Sequence, residues 1–432
     1  MNVLMFGWEF PPNISGGLGT ACYGIVKGLS TCGDVNVTFV VPKAFGNEQS
    51  ANIQLISADT VSIGGETLFK ESTTSFRLLE VSSKLIPYLT PESFAERCQS
   101  LTEIKESSPS EVVREERKIH FSGNYGPNLF EEIYNYAIVA ETIAKNTDFE
   151  LIHAHDWLTF PAAIAAKYVS GKPLVVHIHS TDFDRSGGSV NPAIYDIEKQ
   201  GMDEADQIIT VSNRIKSRLI EQYKIPSEKI TTVYNAIEPK PDRPLPELKK
   251  KNNQKIVTFL GRITIQKGPE YFVEVARMVI NRLKNVHFVM AGNGELRNRI
   301  VELCARYRIS DRFHFAGFLN GDEVNEMLQR SDIFIMPSVS EPFGIVPLEA
   351  MQANVPVIIS KQSGVSELIR NVVKTDFWDI HAMADAVYGI LKHKKLSKTL
   401  ITEGKMEVSK LNWELSAIQI RQVYLQTIKK AS

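Results

Sequence analysis

A chain of 432 residues exceeds what one ordinary hydrophobic core accommodates, so two domains are expected, or three. Its 43% apolar and 23% charged residues are those of a soluble globular protein, which excludes a disordered or fibrous chain. Forty-nine basic against fifty acidic residues leave a formal net charge of −1, which points to no nucleic-acid partner and no anionic membrane, while a local basic cleft is compatible with that average.

Cys22, Cys32, Cys98 and Cys304 are scattered without metal-ligand spacing and read as reduced cytosolic thiols. The opening apolar run is too brief for a signal peptide and lacks a basic leader, and no stretch has the length of a membrane span. The expected location is cytoplasmic, with no transmembrane segment. Peripheral membrane contact and the oligomeric state are left open.

In chain order, strands are expected near residues 3–6, 35–41, 151–155, 174–179, 207–211 and 230–233, with helices between them, for example at 129–145 and 161–168. The first strand runs into Pro11-Pro12-Asn13-Ile14-Ser15-Gly16-Gly17-Leu18-Gly19-Thr20 and then a helix. Glycines at such a junction let backbone amides approach a phosphate or sugar, which makes Gly16 and Gly17 candidate donor contacts; a tight turn that needs small residues is the alternative. The spacing is not that of a dinucleotide fingerprint, and no P-loop lysine follows. Residues 64–123 interrupt the rhythm with a polar, charged segment, expected as a helical or hairpin insertion.

The strands at 151–155 and 174–179 carry His153 with His155 and His177 with His179, each pair on one face by the period of two. Asp156 and Asp182 lie beside them. Four histidines and two aspartates suit a metal site, so a metal-dependent hydrolase is the main rival reading. Against it, a catalytic metal takes about three ligands converging at strand ends. His155 and His179 are nearest the carboxyl ends and are expected in a cleft, whereas His153 and His177 are expected in the core. His179 and Asp182 suit the orientation of sugar hydroxyls, with His155 and Asp156 as further sugar or acceptor contacts.

Residues 238–254 hold four prolines and the run Lys249-Lys250-Lys251, and read as a linker. Domains are therefore expected at 1–240 and 255–412, followed by an amphipathic helix from residue 413. A second strand–helix series places strands at 255–260, 286–291, 313–316, 333–336 and 355–359. After the first of these comes Gly261-Arg262-Ile263-Thr264-Ile265-Gln266-Lys267-Gly268. Its two cations, Arg262 and Lys267, suit a leaving diphosphate without any metal, although a surface Arg and Lys are common on loops. In Ala291-Gly292-Asn293-Gly294-Glu295, Gly292 and Gly294 suit close backbone approach to a base or ribose, or an ordinary turn.

The segment Glu341-Pro342-Phe343-Gly344-Ile345-Val346-Pro347-Leu348-Glu349-Ala350 follows the strand at 333–336. A helix is expected to open at Gly344 or Ile345, with Pro347 tolerated in its first turn and Glu349 more than a turn inside. Eight helical steps between the two carboxylates span at most about 12 Å, the scale of a nucleoside-diphosphate sugar. One acid can then hold a sugar and the other a ribose, with the amides of Gly344 and Ile345 toward the phosphates.

The fold class read from this alternation is α/β, with two doubly wound domains binding ligands at the carboxyl ends of their strands. Taken together, the Gly16-Gly17 loop, His155-Asp156-Trp157, His177-Ile178-His179, Gly261-Arg262 through Lys267-Gly268 and the two-glutamate segment resemble the retaining GT-B glycosyltransferases of family 4, with kinship to glycogen and starch synthases. The resemblance covers nearly the whole chain outside residues 64–123. It implies two Rossmann-like domains facing a central cleft, a terminal helix opening at Leu411-Asn412-Trp413 that crosses back to the first domain, and transfer of a hexosyl group, with glucosyl the expected one, to a glycan. By resemblance, Arg262 and Lys267 contact the diphosphate of a UDP- or ADP-sugar, Glu349 the ribose, Glu341 with Gly344 and Ile345 the sugar, and His179 the anomeric carbon. No cofactor or metal is implied; the partners are a nucleotide-sugar donor and a glycan acceptor. Glycogen synthases carry a lysine two residues before the glycine pair, where this chain has Ile14. Family members that build cell-surface glycans or small-molecule glycosides are the alternative.

Overall fold

The computed structural model describes residues 1–14, 16–48, 53–63, 117–239 and 254–431. Short runs of branched and aromatic residues form β1 (Asn2–Phe6), β2 (Asn36–Val41) and β3 (Gln54–Ser57), and a small antiparallel pair, β4 (Ser62–Ile63) with β5 (Arg117–Lys118). Then come β6 (Leu151–His155), β7 (Leu174–Ile178), β8 (Gln207–Thr210) and β9 (Ile230–Thr232). The second half gives β10 (Lys255–Leu260), β11 (Val286–Ala291), β12 (Phe313–Gly317), β13 (Ile333–Met336), β14 (Val357–Ser360) and β15 (Val373–Thr375). The larger sheets run β3-β2-β1-β6-β7-β8-β9 and β12-β11-β10-β13-β14-β15, and each pairing in them is parallel. Helices cover both faces, so β6, β7, β8, β13 and β14 are buried along their whole length; β13 reads as an unbroken apolar run, whereas β6 and β7 bury histidines among apolar residues.

This is the GT-B arrangement of two Rossmann-like sheets that the sequence led us to expect. β3 and β15 were not expected; both are short edge strands that are only partly buried, with polar Gln54 and Lys374 breaking the apolar signal. Most of the expected insertion, residues 64–116, lies outside the described residues, and its described flanks enter the β4–β5 pair. The centre of the expected linker lies outside them as well.

The terminal helix, Trp413–Ala431, crosses back to the first sheet. Trp413, Ala417, Ile420, Val423 and Tyr424 complete the core of Val3, Met5, Ile25, Leu29 and Phe39. It lies along the helix Gly17–Ser30 because Gly24 and Gly28 leave it room. A β-carbon at Gly24 would stand 2.1 Å from the Trp413 ring, and one at Gly28 2.5 Å from the Trp413 carbonyl.

The carboxyl-end loops of the two sheets meet. Ser212 Oγ donates to the Pro342 carbonyl (2.6 Å), and Ser340 Oγ donates to Asp184 (2.6 Å). The Glu367 carboxylate, beyond β14, accepts from the amides of Asn213 and Arg214 (2.8 Å each) and from the Tyr234 hydroxyl (3.0 Å). An acid of the second domain thus satisfies free amides at the start of the helix Asn213–Gln222 in the first.

Candidate active site

In each sheet the strand order reverses at one point, between β1 and β6 and between β10 and β13, the place where sheets of this kind bind ligands. β10 ends into the loop that carries Arg262 and Lys267, and β13 ends into the loop that carries Glu341. The structure joins them: Lys267 Nζ donates to Glu341 Oε2 at 2.5 Å. The Glu341 side chain is 7% exposed and that of Lys267 21%, so the pair is buried at the acid and open at the base. Ser338 Oγ adds a 3.3 Å hydrogen bond to the same carboxylate oxygen. The Glu341 backbone is pinned against residues 362–364, its amide donating to the Gln362 carbonyl and its carbonyl accepting from the Gly364 amide. Arg262 donates to Gln266 Oε1 at 3.3 Å within the same loop.

The loop is held by close backbone packing. Gly268 has φ 66°, and a β-carbon there would stand 2.2 Å from the Pro337 carbonyl, so only glycine joins the cation loop to the Glu341 loop. Gly292 has φ 128°, and its β-carbon would fall 1.9 Å from the Gly261 carbonyl; one at Gly294 would fall 2.4 Å from that of Ile263. Both glycines pack against the Gly261–Ile263 backbone, the segment that carries Arg262, as the ordinary-turn alternative requires.

Gly344, at φ 98°, turns the chain into the helix Val346–Gln352. Ile345 is its N-cap and Pro347 falls at its start, one or two residues later than expected. Glu349 consequently lies in the first turn, not deeper inside. The Ile345 side chain packs against the core built from β1 and the terminal helix, so the loop carrying Glu341 touches the first domain.

On that side, Gly16 caps the helix Gly17–Ser30, and a β-carbon at Gly16 or Gly17 would meet nothing within 4 Å. Open space above both is what ligand approach requires. Gly19 differs: its amide donates to the buried Glu9 carboxylate (3.2 Å), and Ile14 packs directly on it. Ile14 thus serves as a packing residue of the turn.

The histidines occupy one buried stack. His153 and His177 are core residues, as read from the sequence. His155 is a correction, because it is fully buried and reaches the cleft only through His179, their nitrogens lying 3.0 Å apart. His179 alone of the four keeps 8% exposure. Burial holds the His179 and His153 imidazoles down to about 3, so both are neutral at physiological pH. Asp156, at φ 59°, accepts from the amides of His179 (2.7 Å) and Ser180 (3.3 Å). Burial pushes its carboxyl up to about 7, against the pull of Arg185. It shapes the end of β7 by fixing the His179 and Ser180 amides. Asp182 accepts from the Asn191 amide (2.7 Å) and lies 3.6 Å from Arg185, so it too braces the loop.

Asp184, Ser340, Arg218 and Glu367, which join the halves beside Glu341, were not anticipated. Only the capping box of Thr181 and Asp184 carried a local signal.

Comparison with known proteins agrees with this geometry. Residues 243–407 match the family model described as glycosyl transferases group 1, and residues 100–240 match glycosyltransferase family 4. An uncharacterised glycosyltransferase of Methanocaldococcus jannaschii is 27% identical, covering 98% of each chain. The glycogen synthase of Mycobacterium tuberculosis is also 27% identical, over 64% of this chain and 68% of its own. Among solved structures, sucrose-phosphate synthase of Thermosynechococcus elongatus shares the fold over the full length of both chains, with a TM-score of 0.73 at 20% identity. HepE of Anabaena, in complex with UDP and glucose, has a TM-score of 0.68 at 16% identity over 98% of each chain.

Proposed function

Because the chain belongs to the glycosyltransferases, its first domain of the family 4 type and its second of group 1, we propose that it moves a glucosyl group from a nucleoside-diphosphate sugar to a glycan acceptor with retention at the anomeric carbon. The observation that carries this reading is the Lys267–Glu341 pair at the switch point of the second sheet, with Arg262 on the same loop. As the glycosidic bond breaks, negative charge gathers on the leaving diphosphate. Arg262 and Lys267 stabilise that charge, and the reaction runs on these fixed cations without a divalent metal. Glu349 takes the ribose, and the Gly344 and Ile345 amides take the phosphates and sugar.

Glu341 positions the sugar. Its Oε2 is held by Lys267 and Ser338, an arrangement that suits a fixed acceptor of hydrogen bonds better than a nucleophile. The acceptor hydroxyl then attacks from the face the diphosphate leaves, and a departing phosphate oxygen takes its proton. Contact between the domains excludes water from the donor. The glycogen-synthase relative favours a glucan acceptor; relatives named for kanosamine and N-acetylglucosamine transfer keep small-molecule acceptors as the second reading.

The test is a panel of UDP-, ADP- and GDP-sugars screened for thermal stabilisation, followed by transfer to a linear α-glucan and to small hydroxylated acceptors. One donor is expected to raise the melting temperature and be consumed only with acceptor present. A covalent glycosyl adduct trapped on Glu341 would overturn the front-face mechanism, and no stabilisation by any nucleotide sugar would overturn the assignment.

A further inference from the structure

Four imidazoles and one thiol share a buried space behind the cleft. His153 and His155 rise from β6 and His177 and His179 from the end of β7, with ring centroids 4.3 and 4.4 Å apart within the pairs. Cys22 enters from the helix Gly17–Ser30 and is 1% exposed. His153 Nδ1 pairs with the Tyr424 hydroxyl, and His155 Nδ1 with His179 Nε2. His153 Nε2, His155 Nε2, His179 Nδ1 and both nitrogens of His177 are buried with no hydrogen-bond partner. Native interiors seldom leave such groups unmatched; each neutral ring carries a proton on one nitrogen, and the deprotonated nitrogens offer lone pairs that an occupant of this space can accept.

Cys22, His155 and His179 each offer a ligand atom, all within 4.8 Å of one another. One sulfur and two imidazole nitrogens form a donor set for borderline or soft transition ions rather than calcium or magnesium. Burial keeps the imidazoles neutral, which is the form that ligates. We propose that Cys22, His155 and His179 form a binding site for a thiophilic transition-metal ion, zinc being the test ion, and that its occupancy inhibits sugar transfer by drawing His179 out of the cleft. The inhibitory half rests on the transferase reading above. On binding, the Cys22 thiol gives its proton to solvent as the metal–sulfur bond forms, and each imidazole donates one lone pair. No electron is transferred. The ion would not serve as a hydrolytic centre, since the nearby Asp156 carboxylate is committed to the His179 and Ser180 amides.

The experiment titrates the purified full-length chain with cobalt(II) as a spectroscopic probe and then with zinc in competition. One equivalent of cobalt with a thiolate-to-metal charge-transfer band, bleached by zinc, is expected. Cys22→Ser should remove that band and weaken zinc binding at least about tenfold. His155→Gln provides a second variant should the first fail to fold, with the same loss of affinity expected. Zinc inhibition, taken relative to each variant's own metal-free rate, should weaken in parallel. Cobalt binding without a thiolate band, or zinc affinity indifferent to both substitutions, would overturn the site. Zinc bound without inhibition would overturn the inhibitory half. The metal titration needs no donor sugar, so an intact band in a protein that transfers nothing would sink the transferase reading alone.

Discussion

A single ion pair carries most of the functional argument at the residue scale. Lys267 faces Glu341 at 2.5 Å while the lysine side stays open to the cleft. Replacing Lys267 with Ala should lower kcat by about 10²–10³-fold, the usual loss of a donor aimed at developing charge, with the fold retained. Initial rates beside a melting curve check this, and near-normal turnover would remove Lys267 from its role. The two residues were legible because a cation loop and an acid loop each follow an apolar run. Asp184, Ser340 and Glu367 were not, since their partners lie far along the chain and no local pattern encodes them. The buried histidines give a pH prediction. His153 sits at about 3 in the fold against an ordinary 6.5, so the unfolded chain takes up a proton through that interval while the native chain does not. Its stabilisation is complete above about pH 6.5 and drains as pH falls toward 3. Asp156 acts oppositely: with its carboxyl at about 7, its contribution is lost as pH rises from about 4 to 7. Four depressed histidines outnumber the three carboxyls that burial raises, those of Asp156, Glu198 and Glu141, so the melting temperature should fall on acidification from pH 7 to pH 5. His153→Gln should flatten that slope; an unchanged slope would show that His153 does not set it.

Among the elements, the strands were the easiest to anticipate and the glycine contacts the hardest. β6, β10, β11 and β13 run over the residues expected, because each is a short, mainly apolar stretch even where His153, His155, Thr258 or His287 interrupts it. The small edge strands β4 and β5 left no such stretch. Glycine is ambiguous in a sequence: Gly16 has open space above it, whereas Gly292 lies against the Gly261 carbonyl. Gly292→Ala should therefore strain the backbone at φ 128° and push the Arg262 loop outward. A loss of about 1–3 kcal/mol in urea unfolding is expected, together with a raised KM for the donor sugar. Wild-type stability and KM in that variant would show that the loop tolerates a side chain.

For the whole molecule, polar contacts between carboxyl-end loops hold the two halves together beside the ion pair. Glu367→Ala removes the acceptor for two amides and a hydroxyl of the first domain, and should bias the protein toward an open form. Solution scattering should then show a larger radius of gyration than wild type, reduced again by the donor sugar, with more donor lost to water in the variant. An unchanged radius would mean that Glu367 does not govern closure. The two-sheet plan was evident from the alternation of elements, but the face each sheet turns to the other was not, because contacts between distant loops leave no periodic trace. The return of the terminal helix bears on how the protein is made. β9 ends at Thr232, yet the last wall of the first core begins at Trp413. At about 5–20 residues per second, a ribosome needs roughly 10–40 s to bridge that gap. During that interval the nascent first domain presents the bare groove of Gly24 and Gly28 to its surroundings, a binding place for chaperones until its own tail arrives. A chain truncated at residue 412 would keep the Arg262, Lys267 and Glu341 loops and leave that core face uncovered.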